Sequence, residues 1–187
     1  EHYYYWLVTP LVKFLNEYEL QIVNIEEQTI HGGTLRLWIC HKEYSDPTDV
    51  DINYLNLEKN FDFFIASEKM QKKIIKDKEW LNGIKEKIAF FGAAAKGCVY
   101  LNSLGVNIEN FPKSYIVDDT KNKQNMFVPG TGFEVVTRDF LYDEQPENLI
   151  VLAHNFKDYI IKSLRPMYKG KIITLLPSFQ IDFGENY

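Results

Sequence analysis

The sequence has few cysteines, no long apolar run and no excess of basic residues, and each absence excludes a class of protein. Cys40 and Cys98 are its two cysteines, and they lie far apart without the spacing of a zinc site. We therefore expect two small buried thiols in a reducing compartment, and no metal site. No apolar run approaches the roughly 20 residues that span a bilayer, so we expect no membrane partner.

The charge balance argues against nucleic acid as a partner. The 187 residues carry a formal net charge of −5, whereas nucleic-acid-binding domains usually present a basic face. The chain begins with Glu1-His2 and aromatic residues, which lack the basic region and the apolar core of a signal peptide. We therefore expect a cytoplasmic protein. Because no initiator methionine is present, we interpret the chain as a piece of a longer protein.

Hydrophobic residues make up 45% of the sequence, which is enough for a packed core. In the first part of the chain, Thr9-Pro10 predicts a helix start with the threonine as N-cap. Strands are predicted over 21–27 and 34–41, joined by a hairpin at Gly32-Gly33. Because two strands are too few to bury a core, we expect residues 1–45 to be the tail of a larger domain.

The rest of the chain divides into a helical part and an α/β part. A polar break at 46–49 opens a predicted helical connector over 46–86. In the following segment, 87–187, strands are predicted over 88–91, 114–117, 133–136, 148–153 and 171–176. Helical patterns separate several of these strands, which indicates an α/β fold with a Rossmann-like, doubly wound parallel sheet.

The turn after the first predicted strand is the strongest local signal. Gly92, Ala94 and Gly97 occupy the three small-residue positions of a dinucleotide fingerprint, G-x-G-x-x-G, with alanine in the middle. Small residues there let the backbone N–H groups of a helix start approach a phosphate. A tight turn that only packs a helix on the sheet is the alternative. Lys96 either meets a phosphate in this turn or is an exposed helix lysine.

Other candidate ligand contacts also follow predicted strands, because ligands of such sheets gather at the carboxyl ends of strands. Asp118 follows the second strand, and His154 and Asn155 follow the fourth. An acid in the place of Asp118 often binds ribose hydroxyls, but it equally caps a following loop. We interpret Lys123 in that loop as a surface residue, or alternatively as part of a loop that closes over a ligand.

Four motifs occur in the order found in one enzyme family. They are Glu1-His2 ahead of aromatic residues, the hairpin His31–Arg36, the turn Gly92–Gly97, and Pro129-Gly130-Thr131. On these motifs the sequence resembles the C-terminal part of S-adenosylmethionine-dependent sugar C-methyltransferases. The resemblance implies that residues 1–45 close the methyltransferase domain, and that the Rossmann-like domain holds a nucleotide-sugar. It also implies that S-adenosylmethionine is bound by an upstream part of the same protein, so we expect this chain alone to be inactive.

The resemblance implies methylation of a carbon beside a ketone, after a base has removed the proton from that carbon. Histidine suits this base because its pKa lies near neutrality. The resemblance gives the role to His2, with Glu1 as an orienting or charge-stabilising carboxylate, although both are alternatively no more than the end of the chain. Tyr5 lines the same pocket or packs in the core. His31 reaches the active site or bonds to the backbone of its turn.

One position departs from the family pattern, and three other functions stay open. The family usually has a tryptophan where this sequence has His154, which leaves the substrate contact at this loop undetermined. The main alternative function is a nucleotide- or nucleotide-sugar-binding module without catalysis. An NAD-dependent oxidoreductase is a further alternative, which Ala94 weakens because a second glycine normally allows the closest approach to the pyrophosphate. A structural or interaction domain is the last, since fold alone does not fix function.

Overall fold

The structure is a computed structural model that describes residues 6–30, 33–44 and 52–184. The helices are α1 (Val8–Glu17), α2 (Ile52–Lys59), α3 (Phe63–Gly83), α4 (Ala95–Leu104), α5 (Arg138–Glu144) and α6 (Lys157–Leu164). The strands are β1 (Leu20–Gln28), β2 (Thr34–His41), β3 (Ile88–Phe91), β4 (Ile116–Val117), β5 (Val135–Val136), β6 (Asn148–Val151), β7 (Lys171–Thr174) and β8 (Gln180–Asp182). Within the described residues, the helices are all too short or too polar to cross a membrane.

The chain divides into two compact units, residues 1–67 and 68–187, and the limit between them falls within α3. The first unit contains the antiparallel pair of β1 and β2, as the sequence predicts. Val8 and Leu15 of α1 pack with Ile22 of β1 in a small apolar cluster. The predicted division into residues 1–45, 46–86 and 87–187 stays a prediction.

The predicted N-cap of α1 is wrong. The helix begins at Val8, and Leu7 stands in the N-cap position. The carboxylate of Glu58 instead accepts the N–H groups of Val8 and Thr9, at 2.5 and 2.8 Å. Burial raises the pKa of Glu58, but the bonds from Thr9 and Val8 outweigh it and hold that pKa below its usual value. A carboxylate at a helix N-terminus thus replaces the expected threonine cap.

The second unit is built on a six-stranded sheet in the order β5-β4-β3-β6-β7-β8. Neighbouring strands from β5 to β7 pair in parallel, and β8 pairs antiparallel with β7. As predicted, β3 lies next to the point where the strand order reverses, between β3 and β6. The predicted α/β class with a mostly parallel sheet is confirmed, and the order is consistent with a Rossmann-like fold.

Alternate residues of the strands belong to two separate apolar clusters. Ile88 and Phe90 of β3 belong to the cluster that contains residues of α3 and α4. Ala89 and Phe91 belong to the cluster that contains residues of α5 and α6. Because side chains alternate along a strand, helices cover both faces of the sheet. All four residues of β3 are buried, which explains why this strand is a continuous apolar run in the sequence.

β6 and β7 end two residues earlier than predicted, β4 and β5 begin two residues later, and α5 and β8 were not predicted. β6 ends at Val151, after which the N–H of Leu152 donates to the carbonyl of Phe91 at 2.9 Å. Leu152 and Ala153 belong to the connection that follows the strand, and both lie close to the β3–α4 turn.

Candidate functional site

The β3–α4 turn lies at the carboxyl end of the sheet, where the strand order reverses. Gly92 has a φ of +98°, and a Cβ there would lie 2.9 Å from the Cβ of Ala153. Its N–H donates to the carbonyl of Val117 at 2.8 Å. Glycine is therefore required at this position for two reasons, since its φ is unfavourable for other residues and the β6 loop is too close for a side chain.

The second glycine of the turn brings α4 close to β6. Gly97 is buried in the first turn of α4, and a Cβ there would lie 2.6 Å from the Cβ of Leu152. Ala94 stands in the N-cap position and has no polar side chain to cap the helix. The contacts of both glycines support a packing role. The start of α4 has no side-chain cap from Ala94, and a helix N-terminus of this kind suits an anion.

Asp118 follows β4, is only 7% exposed and is bonded to the β3–α4 turn. Its Oδ2 accepts the N–H of Ala93 at 2.8 Å and lies 3.2 Å from Nζ of Lys123. Its Oδ1 accepts the N–H of Thr120 at 2.9 Å. Burial raises the pKa of Asp118, but hydrogen bonds from Thr120 and Lys123 outweigh it, and the pKa lies below its usual value. Asp118 is therefore an ionised carboxylate near neutral pH.

Lys123 completes this arrangement. Besides contacting Asp118, its Nζ donates to the carbonyl of Ala93 at 2.9 Å, and Gln124 donates to the carbonyl of Asp118 at 3.0 Å. Ala93 is thus held at both its N–H and its carbonyl. We name the set of Ala93, Asp118 and Lys123 the turn clamp. The predicted roles of Lys123 were a surface residue or part of a loop that closes over a ligand. Contact with Ala93 was not predicted, because nothing local in the sequence places the two residues together.

A second charged pair lies beside the turn clamp. Arg138, the first residue of α5, donates to both carboxylate oxygens of Asp119, at 2.6 and 2.7 Å, and to Oγ of Ser163 at 3.0 Å. Its guanidinium also lies over the ring of Phe91, 5.2 Å from the centroid. Arg138 therefore links the end of β4 to α5 and α6. It was not predicted as a site residue because α5 was not predicted.

His154 and Asn155 lie on the opposite side of the reversal point, directly after β6. They belong to a short 3-10 turn, His154–Phe156, between β6 and α6. The Nδ1 atom of His154 is buried and has no hydrogen-bond partner among the described residues, as is true of four other buried side-chain atoms. Such an atom costs about 1–3 kcal/mol and is open to a bond from a ligand. The structure thus brings Gly92, Asp118 and His154 to one edge of the sheet.

Most of the chain matches a known protein family. A family model described as the C-methyltransferase C-terminal domain matches residues 29–177. The chain belongs to this family. The predicted resemblance to the C-terminal part of a C-methyltransferase is confirmed, and the matched residues include the whole edge described above. No curated protein matches the chain.

The remaining candidate residues of this C-methyltransferase domain divide into two groups. Lys96 lies exposed in the first turn of α4, on the edge that carries Gly92. The other candidates lie outside the described residues, and their roles stay predictions: Glu1, His2, Tyr5 and His31. Within the part of the chain that the structure describes, no group of three or more histidine, cysteine or acidic residues is placed to hold a metal ion.

An open groove of about 730 Å³ lies at the opposite, amino-terminal end of β3 and β4. Its lining includes the exposed lysines Lys85 and Lys113 and the ring of Tyr115. Lys87 in the same lining pairs with Glu144 of α5. We place the candidate site at the carboxyl end instead, because ligands of parallel sheets gather there and the uncapped helix start lies there.

Proposed function

We propose that the chain is the substrate-binding portion of an S-adenosylmethionine-dependent C-methyltransferase that acts on a nucleotide-linked keto-sugar. The observation that carries the proposal is the β3–α4 turn, which places an uncapped helix start at the reversal point of a sheet in a C-methyltransferase domain. Helix N-termini in this place favour anions, and the diphosphate of a nucleotide-sugar is such an anion.

In this proposal the two sides of the reversal point contact different parts of the ligand. The backbone N–H groups after Ala94, together with Lys96, bind the diphosphate. His154 and Asn155, across from them, donate or accept hydrogen bonds at the sugar or its linkage. Gly92 and Gly97 allow the turn and α4 to pack directly against Ala153 and Leu152, which brings the two sides close together.

The family resemblance supports a methyl-donor site outside this sheet. We propose that an upstream part of the same protein binds S-adenosylmethionine. His2 would remove the proton beside the ketone, and Glu1 would orient His2 or stabilise its charge.

The binding half of this proposal is tested by titrating the full chain with UDP in a calorimeter. We expect saturable binding, with an affinity about tenfold lower in Lys96→Gln, since a hydrogen bond to a charged group contributes about 1.5–3 kcal/mol. Lys162→Gln is the matched control, because Lys162 is an exposed helix lysine in the last turn of α6. An equal loss of affinity in both variants would contradict the placement of the diphosphate, and no binding by the unaltered chain would contradict the binding role.

A further inference from the structure

We propose that Asp118 is a positioning residue that fixes the β3–α4 turn through Ala93, and that it does not bind the ribose of the nucleotide. The inference rests on the proposed function, in which this turn receives the diphosphate. It assigns to Lys123 the role of holding the same turn and neutralising Asp118. Both residues act on the ligand through the geometry and the charge of the turn.

The carboxylate of Asp118 is already committed within the protein. Oδ2 accepts from both Ala93 and Lys123, at 2.8 and 3.2 Å, which fills the two lone-pair sites of that oxygen. Oδ1 accepts from Thr120 at 2.9 Å. A ribose diol is bound by an acid that accepts from both hydroxyls. Asp118 is also buried, and binding a diol at both of its oxygens would require it to give up a partner.

The partners of Asp118 and Lys123 show what the clamp positions. Ala93 directly follows Gly92 and precedes the N-cap residue Ala94, so its peptide groups set the direction in which α4 begins. Its N–H is held by Asp118 and its carbonyl by Lys123. The N–H of Gly92 is held by β4 as well, through the carbonyl of Val117. The turn therefore has its geometry before any ligand arrives, which lowers the entropic cost of binding.

The opposite charges of Asp118 and Lys123 lead to a second, more specific prediction. Asp118 alone would place a buried negative charge beside the position proposed for a diphosphate, and like charges repel. Lys123 cancels that charge, and its side chain is 41% exposed, whereas that of Asp118 is 10% exposed. Removing Lys123 should therefore weaken binding more than removing the charge of Asp118. The double variant should bind better than the single Lys123 variant.

The first test compares Asp118→Asn with Asp143→Asn, an exposed helix aspartate of α5, in the full chain. Amide hydrogen exchange should become about tenfold faster at residues 93–97 in Asp118→Asn alone, since a charged hydrogen bond is lost. UDP and dUDP should lose affinity by the same factor, about three- to tenfold. If Asp118 bound the ribose, the substitution would instead weaken UDP binding more than dUDP binding, because dUDP has only one of the two hydroxyls. That result, with unchanged exchange at residues 93–97, would overturn the inference.

The second test uses Lys123→Met, with Lys121→Met as the matched control from the same 3-10 turn. We expect an affinity loss for both nucleotides of about tenfold or more, partly restored in Asp118→Asn/Lys123→Met. Equal losses in the single and double Lys123 variants would overturn the charge argument. If the unaltered chain binds neither nucleotide, the proposed function fails. The exchange rates of residues 93–97 in Asp118→Asn and Lys123→Met would still decide whether the clamp fixes the turn.

Discussion

The two sides of the reversal point differ in how their polar groups are used. On the β4 side, Asp118 accepts bonds from Lys123 and backbone N–H groups, and Asp119 accepts bonds from Arg138. On the β6 side, His154 has a buried nitrogen for which the described residues offer no partner. A network of several bonds fixes geometry, whereas a buried atom without a partner can bond to a ligand. In our proposal the β4 side has a structural role and the β6 side contacts the ligand.

The largest effect is expected for the proposed base, His2, because no residue of either side is proposed for that role. In the full-length protein, His2→Asn should lower kcat by about 10²–10⁴-fold, since asparagine cannot take up a proton. Exchange into deuterated water of the proton beside the ketone should be lost as well. His154→Asn is the matched control, and it should mainly raise KM. If His2→Asn exchanged that proton at the unaltered rate, His2 would not be the base.

The next effect concerns the packing between the two sides. Gly97→Ala should lower the free energy of unfolding by about 1–3 kcal/mol, because its Cβ would lie 2.6 Å from the Cβ of Leu152. Gly83→Ala is the matched control, since a Cβ at Gly83 meets nothing within 4 Å. Urea unfolding of the full chain measures both. A Gly97→Ala variant as stable as Gly83→Ala would contradict the tight contact between α4 and β6.

Asp118, on the β4 side, should make the free energy of unfolding depend on pH. The pKa of Asp118 is lower in the folded chain than in the unfolded one, so its stabilisation is present above the unfolded pKa of about 3.9. It is lost as pH falls through the folded pKa. We therefore expect Asp118→Asn to lower the free energy of unfolding by about 1–2 kcal/mol at pH 7, and by less as the pH falls below about 4. Urea unfolding at several pH values, with Asp143→Asn as control, measures this. A cost independent of pH would contradict an ionised clamp.

The smallest effect should appear on the β6 side. His154→Phe removes the unpartnered Nδ1 and keeps a ring, so the free energy of unfolding should stay equal or rise by about 0.5–1 kcal/mol. Affinity for UDP-sugars should fall in the same variant. His41→Phe, at an exposed strand position, is the matched control for both measurements. A clearly destabilised His154→Phe would show that Nδ1 has a structural partner, and the difference between the two sides would then disappear.

Much of the sheet was predictable because its central strands are buried on both faces. β3 coincides with the predicted strand 88–91, and β6 begins at the predicted residue and ends two residues earlier. The strands of the hairpin were likewise found within a residue. Apolar runs and alternations of this kind report burial directly, and burial dominates the energetics of such elements.

Two short elements escaped prediction, one held by a contact distant in sequence and the other by a local cap. β8 has three residues, and Arg165 of the α6 end holds it through the carbonyl and the carboxylate of Asp182. α5 has seven residues and is capped by Thr137, whose Oγ1 accepts the N–H of Phe140. Neither segment is long enough for its apolar pattern to stand out.

The sequence by itself determined the α/β class, the turn after β3 and the family, because strand burial and the small residues of a tight turn are local properties. Only the tertiary structure decided how the site residues are used. Ala93 and Asp118 are 25 positions apart in the chain, and their bond exists because β3 and β4 are neighbours in the sheet. The isolation of Nδ1 in His154 likewise depends on the packing around it. Hydrogen bonding of buried polar groups is set by strand order and packing, which no local pattern of residues encodes.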